Sequence, residues 1–428
     1  MPAIEAEHLY KVFGRRARDG VTRLRQGATQ QELNEQDGLT AAVIDASFTV
    51  EEGEIFVVMG LSGSGKSTLL RMVNGLLEPT AGSVTLMGAN VTSAPPKTLR
   101  RIRRERVSMV FQHFALLPHR TVLENAAYGL ETQGIGKAER ARRAAEALEL
   151  CGLGGWGDKL PGELSGGMQQ RVGLARALAA DTDILLMDEA FSALDPLIRR
   201  GMQDQLLELQ SRLKKTILFI THDLNEAMRL GDRIAMMRNG RIVQIGTAEE
   251  ILNDPANDYV ARFIQDVDRS RVLTASSIME PPVAVLRSEQ GPRAAHKLMR
   301  ENQLDTLLVV DRDRRIRGTV GEQTVVRAVE TGTTGVEGLL ERSVPTVSPD
   351  TVIADLLAEA ADSEVPLAVV DEQERLVGVI PRVTLLTALS NTSATSEGGP
   401  DGEAQTDSAT DPQPDPPAAS AHDAEVPA

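Results

Sequence analysis

Gly60-Leu61-Ser62-Gly63-Ser64-Gly65-Lys66-Ser67-Thr68 decides the reading of this chain. It satisfies the pattern G-x-x-x-x-G-K-[ST]. The apolar run Ile55–Met59 precedes it and an apolar helical stretch begins at Lys66. Strand, glycine-rich turn and helix N-terminus are the context that the pattern requires. Glycines let the backbone wrap closely, so that successive N–H groups from Gly60 through Ser62, Gly63, Ser64 and Gly65 face a phosphate chain. Lys66 is placed to reach the β- and γ-phosphates. The Ser67 hydroxyl, followed by Thr68, supplies a magnesium ligand.

Outward from that loop the chain alternates short apolar runs with helical, Arg- and Glu-bearing stretches as far as residue 265, the pattern of an α/β domain built on βα units. One of those runs, Ile184-Leu185-Leu186-Met187, ends in Asp188-Glu189. Four apolar residues make a strand buried on both faces, and its C-terminal edge is where such sheets place ligands. Asp188 is expected to hold magnesium and Glu189 to polarise an attacking water as general base. A further anion site is expected at Leu164-Ser165-Gly166-Gly167-Met168-Gln169, which precedes the predicted helix Gln169–Ala180.

Composition sets the outer limits. The chain has 428 residues and a formal charge of −15. Eight of the excess acids lie in residues 391–428, which carry no Lys or Arg, so residues 1–390 carry −7. An acidic chain is a poor general nucleic-acid binder, because phosphate affinity needs clustered Lys and Arg. The single cysteine, Cys151, excludes an internal disulfide and a Cys-based zinc site. No apolar run approaches the roughly 20 residues of a membrane span, and the start of the chain lacks the pattern of a signal peptide. The expectation is a soluble cytoplasmic protein.

Beyond residue 272 the chain repeats itself. Thr306-Leu-Leu-Val-Val-Asp311 with Arg315-Ile-Arg-Gly318 matches Pro366-Leu-Ala-Val-Val-Asp371 with Arg375-Leu-Val-Gly378 at an offset of 60 residues. Each copy reads as a helix (Arg293–Glu301, Val352–Ala361) followed by a hairpin. Such half-domains are too small for a good core alone and are expected to bury apolar faces against each other. Residues 391–428 lack aromatics and nearly all large aliphatics, and are expected to be disordered.

Two phosphate sites in one chain, with Ser-Gly-Gly opening a helix, resemble the ATP-binding cassette (ABC) ATPases. The resemblance implies ATP with Mg2+, and a head-to-tail dimer in which Ser165, Gly166 and Gly167 of one copy complete the nucleotide site of the other. It implies that Gln112, in Val110-Phe111-Gln112, contacts magnesium and water. It gives Asp195, in Ser192-Ala193-Leu194-Asp195, to the loop at the dimer interface, and His222, in Thr221-His222-Asp223, to the γ-phosphate. In Leu9-Tyr10-Lys11-Val12-Phe13-Gly14 it makes Phe13 the adenine-stacking residue, with Tyr10 the alternative. Longer matches at Phe56–Gly63, Asp188–Arg199 and Asn257-Asp258-Tyr259-Val260, an insertion at about Arg15–Leu39 and the tandem repeat resemble the ATPase subunit of glycine betaine/proline (quaternary amine) importers. There the repeat is a pair of cystathionine β-synthase (CBS) domains.

The organisation so implied is a P-loop NTPase cassette at 1–265 with a helical subdomain at about 113–165, CBS repeats at 272–330 and 338–390, and an acidic tail at 391–428. The partners implied are a second copy of the chain, a transmembrane permease and, through it, an extracytoplasmic solute-binding component, with no nucleic acid. The place implied is the cytoplasmic face of the cell membrane. Nucleotide-binding CBS pairs commonly follow the glycine of the second strand with a Thr and then a ribose-holding Asp. Here Gly321 and Thr324, and Pro381 and Thr384, stand at those places, so conventional adenosine-nucleotide sensing is not expected. The basic stretches Lys97–Arg106 and Arg15–Arg25 read as solvated faces. The resemblance implies that the apolar segment from His113 to His119 grips the permease; core burial is the alternative.

Overall fold

The computed structural model describes residues 2–112, 114–265, 269–341, 343–361 and 365–393. The tail expected from residue 391 lies outside the described residues beyond residue 393.

Two sheets build the N-terminal half. The first is antiparallel, in the order β2 (Thr40–Val50), β1 (Ile4–Phe13), β4 (Ala81–Leu86), β5 (Ala89–Asn90). The second has six strands in the order β10 (Arg241–Gly246), β9 (Arg233–Arg238), β3 (Ile55–Met59), β8 (Thr216–Thr221), β7 (Ile184–Asp188), β6 (Val107–Val110). All of its pairings are parallel except β9 with β10. Every residue of β3 and β8 is buried, as expected of central parallel strands covered on both faces. Phe191 and Phe219, both fully buried, lie with ring centroids 5.6 Å apart beneath the sheet.

Register does the positioning. Met59 pairs with Thr221, Asp188 with Ile220, and Val110 with Met187. The C-terminal ends of β3, β8, β7 and β6 therefore lie side by side. The glycine loop leaves β3, His222 follows β8, Asp188-Glu189 close β7, and Gln112 stands two residues beyond β6.

The helices Val122–Ala126, Tyr128–Thr132 and Lys137–Leu150 share one apolar cluster with Gly166–Ala179. The insertion folds as two helices, Ala17–Arg25 and Gln30–Asp37. Their Val21, Leu24 and Leu33 pack with Tyr10, Val12 and Ile44 in a small separate core. Two of its arginines are engaged: Arg23 pairs with Asp37, and the Arg25 guanidinium lies 5.2 Å from the Tyr10 ring centre.

Each C-terminal repeat forms a three-stranded sheet with an antiparallel hairpin: Thr306–Val310 with Ile316–Gly321, and Leu367–Val370 with Leu376–Ile380. The turns are built alike. Asp311 Oδ1 accepts from the Arg315 N–H at 2.9 Å and Asp371 Oδ1 from the Arg375 N–H at 2.8 Å. These bonds hold both carboxyls below the usual aspartate range. The repeats meet through Leu308, Val310, Ala368, Leu376 and Val379, and the Leu376 N–H donates to the Arg314 carbonyl at 2.9 Å. One feature was not legible in the repeat: the entry segment crosses over. The Ile353 N–H donates to the Leu273 carbonyl and the Ala275 N–H to the Thr351 carbonyl, so the start of the first repeat is stitched to the second.

Replacing Phe219 by Ala removes a ring from a site with no solvent access. The expected cost is about 3–5 kcal/mol, read as a lowered midpoint in urea denaturation of the nucleotide-free chain.

Candidate active site

Backbone geometry comes first. Gly60, Gly63 and Gly65 take φ of 152°, 79° and 104°. At Gly65 an added Cβ would lie 2.2 Å from the Ala42 carbonyl oxygen, and at Gly60 2.3 Å from the Met237 carbonyl oxygen. Glycine is therefore required at both places by close backbone approach. The β9–β10 turn braces the loop from the other side, where the Gly240 N–H donates to the Ser64 carbonyl at 3.0 Å. The Ser64 hydroxyl is buried and has no hydrogen-bond partner among the described residues.

Lys66, at the start of the helix Lys66–Val73, is buried. Its ammonium donates to the Gly60 carbonyl at 2.8 Å and the Leu61 carbonyl at 3.2 Å, and lies 3.9 Å from Glu189 Oε1. Ser67 Oγ donates to Asp188 Oδ1 at 3.1 Å. Glu189 is the hub: its Oε2 accepts from Gln112 Nε2 at 3.3 Å and lies 3.1 Å from His222 Nδ1. Its backbone is left-handed, with φ of 45°, a strained conformation for a side chain of this size. The Glu189 N–H is fastened to the Ile220 carbonyl at 2.9 Å, which holds that turn in place. Six residues singled out from the sequence thus form one connected cluster: Lys66, Ser67, Gln112, Asp188, Glu189 and His222.

Electrostatics separate their roles. Burial pushes the Lys66 ammonium pKa down, and the charges of Glu189 and Asp188 act against that shift. Burial raises the Asp188 carboxyl; the Ser67 hydrogen bond opposes this and the Glu189 charge adds to it. Among the described residues no group of three or more His, Cys, Asp and Glu side chains makes a metal cage. The Ser67 hydroxyl and Asp188 carboxylate are instead a partial set of hard oxygen donors. Magnesium takes such a set together with substrate phosphates.

The signature segment stands apart. Ser165 is the N-cap of Gly166–Ala179, its Oγ accepting from the Met168 N–H at 3.4 Å. The helix starts at Gly166 rather than at the expected Gln169, so the glycines form its first turn. Ser165 and Gly166 are exposed, whereas Gly167 is buried against Ile198. Asp195 caps the helix Pro196–Leu213 through the Leu197 N–H at 3.0 Å. Among the described residues no hydrogen bond joins Ser165, Gly166, Gly167 or Asp195 to the Glu189 cluster. Of the two aromatic alternatives, Tyr10 is 5 % exposed in the core beneath the insertion, while Phe13 is 43 % exposed. Phe13 pairs with Thr40, two residues from the Ala42 carbonyl against Gly65, and this places it beside the glycine loop.

Some supporting contacts were not expected from the sequence, although their residues lie in the matched stretches. Ser192 Oγ accepts from Gln112 Nε2 at 3.3 Å and donates to the Glu189 carbonyl at 2.9 Å. Arg199 Nη1 donates to Asp223 Oδ2 at 3.2 Å and its Nη2 to the Leu194 carbonyl, tying the turn after Glu189 to the residue after His222. The apolar segment after Gln112 divides: Phe114 and Leu116 pack on the core and Ala115 is exposed. His113 lies outside the described residues.

Residues 43–192 match the ABC transporter family, and residues 275–331 and 336–391 match the CBS domain. The glycine betaine/carnitine transport ATP-binding protein of Listeria monocytogenes is 52 % identical over 91 % of this chain and 98 % of its own. This chain belongs to the ABC transporter ATP-binding subunits of that type. Other members are the glycine betaine transport ATP-binding protein of Bacillus subtilis, 48 % identical over 94 % of this chain and 97 % of its own, and the glycine betaine/proline betaine transport ATP-binding protein of Escherichia coli, 46 % identical over 90 % and 97 %. This ABC subunit has the P-loop cassette followed by CBS repeats, and among its described residues no helix is long and apolar enough to cross a membrane.

The raised Asp188 pKa fixes a sign. A carboxyl whose pKa is higher folded than unfolded binds more protons in the native state through that window, so stability falls as pH rises through it. At neutral pH the ionised group is a net cost to the nucleotide-free fold. Asp188→Asn should raise the melting temperature of the ABC subunit without nucleotide or magnesium, as measured by calorimetry at pH 7, and the gain should shrink as the pH is lowered.

Proposed function

We propose that this ABC subunit hydrolyses ATP to power uptake of glycine betaine, proline or a related compatible solute through a separate membrane permease, in osmoprotection. The observation that carries the reading is the Glu189 hub, with its contacts to Lys66, Gln112 and His222.

Lys66 and the backbone N–H groups of Gly60–Thr68 bind the phosphate chain. Ser67, Asp188 and Gln112 would hold Mg2+, which supplies charge neutralisation on the phosphate oxygens. Glu189 orients and deprotonates the attacking water, and its strained turn holds the carboxylate between Lys66, Gln112 and His222. His222 holds the γ-phosphate side of the cluster. Phe13 stacks on the adenine. The exposed Ser165 and Gly166 and the cap at Asp195 are free of the chain's own cluster, which suits completion of the site by a second, head-to-tail copy. ATP closes that pair and hydrolysis reopens it.

A groove of about 300 Å³ beside Gln112, lined among others by Phe111, Ala115 and Tyr128, suits a cytoplasmic helix of the permease. Phe111 and Tyr128 are exposed there, and exposed aromatics are frequent anchors of binding surfaces. The subunit then works at the cytoplasmic face of the membrane, and reaches an extracytoplasmic solute-binding component only through the permease. That the solute is glycine betaine or a related compatible solute is supported by the similarity, over most of each chain, to glycine betaine transport subunits.

Glu189→Gln should retain ATP binding and lose hydrolysis by about 10²–10⁴-fold, as measured by nucleotide titration and phosphate release. Hydrolysis at the wild-type rate would reject Glu189 as the base. Lys66→Ala should weaken ATP binding itself. Uptake of radiolabelled glycine betaine or proline by proteoliposomes carrying the cognate permease tests the substrate; uptake of another amino acid, with neither of these transported, would reject it.

A further inference from the structure

Phe114 and Ala115 are consecutive non-glycine residues in the left-handed region, with φ of 51° and 49°. Single residues of this kind are uncommon, and two in succession are strained. Such a segment persists only where its surroundings over-determine it.

Arg176 supplies the constraint. It stands in the last turn of the signature helix Gly166–Ala179. Its Nη1 donates to the Ala115 carbonyl at 2.7 Å and its Nη2 to the Phe114 carbonyl at 3.2 Å. Among the described residues it forms no ion pair, so this half-buried cation is satisfied chiefly by two carbonyl dipoles. Burial lowers its pKa, the direction expected of a charge held away from water. The fork of the guanidinium suits the task, because two donors in one plane reach two successive carbonyls at once.

The clamp joins three places. Arg176 and Ala115 both line the groove beside Phe111 and Tyr128. Phe114 and Ala115 follow Gln112 within three residues. The Phe114 ring lies against the start of the signature helix, 3.7 Å from where a Cβ on Gly166 would stand.

We propose that Arg176 is a positioning residue that clamps the left-handed Phe114–Ala115 pair, and through it transmits occupancy of the groove by the permease to Gln112 and to the signature helix. This rests on the reading that the groove receives the permease. Arg176 touches neither nucleotide nor the attacking water in this scheme. Its loss lets the pair relax to ordinary backbone geometry, which moves Gln112 and slackens the Phe114 contact on Gly166.

The test uses the assembled transporter in proteoliposomes, with ATP turnover and uptake measured together. Arg176→Gln should lower permease-stimulated kcat by roughly tenfold while leaving the KM for ATP within about twofold, since misplacement of a reacting group acts on turnover. The double variant Arg176→Gln with Ala115→Gly should recover about half of the loss, because glycine adopts the left-handed region without the Cβ penalty. Arg176→Lys, which keeps the charge but not the fork, should fall between wild type and Arg176→Gln, and it serves in place of Arg176→Gln should that variant not fold. Wild-type turnover in Arg176→Gln or Arg176→Lys, or a loss that Ala115→Gly does not restore, overturns the clamp. Failure of the wild-type chain to assemble with the permease overturns the importer reading and the clamp with it.

Discussion

Parallel pairing of β3, β8, β7 and β6 in register is the constraint on which the rest of this molecule depends. Their C-terminal ends converge because Met59 pairs with Thr221, Asp188 with Ile220 and Val110 with Met187. Residues separated by more than 120 positions, such as Ser67 and Asp188, thereby come within 3.1 Å. A slip of one residue in any of these strands would turn its buried side chains toward the opposite layer. It would also carry its loop away from the cluster.

That convergence concentrates charge in a partly buried place, and the structure manages the consequence locally. Lys66 is satisfied by the carbonyls of its own loop, and Asp188 by Ser67. Glu189 accepts from Gln112 and contacts His222. The groups are held in mutual reach, as at a site that a triphosphate and its metal would complete. Strain accompanies this. Glu189, Phe114 and Ala115 are all left-handed, and each is fastened by a hydrogen bond from or to another element.

Much of the site was legible because phosphate binding demands particular residue types at fixed short spacing. Gly60, Gly65, Lys66 and Ser67 lie within eight positions, and the apolar run before Asp188-Glu189 marks a central strand. The helix that Ser165 caps was also legible, although it begins three residues earlier than its apolar pattern suggested. Phe13 and Tyr10 could not be separated by pattern, since both sit in one strand. In the structure Tyr10 is buried under the insertion and Phe13 is exposed.

By itself the sequence determined the α/β class, the glycine loop, the two acids, the tandem repeat and its hairpins, because each is a matter of local spacing and periodicity. Tertiary structure alone decided which loops meet, which is a matter of strand order and register. It decided that Gly240 and Met237 brace the phosphate loop, that Arg199 ties Asp223 to the turn after Glu189, and that Arg176 holds Phe114 and Ala115. It also decided that the segment at Leu273–Ala275 is stitched to the second repeat. These contacts join backbone carbonyls and N–H groups to partners far along the chain. Every residue carries such groups, so no residue type announces them in advance.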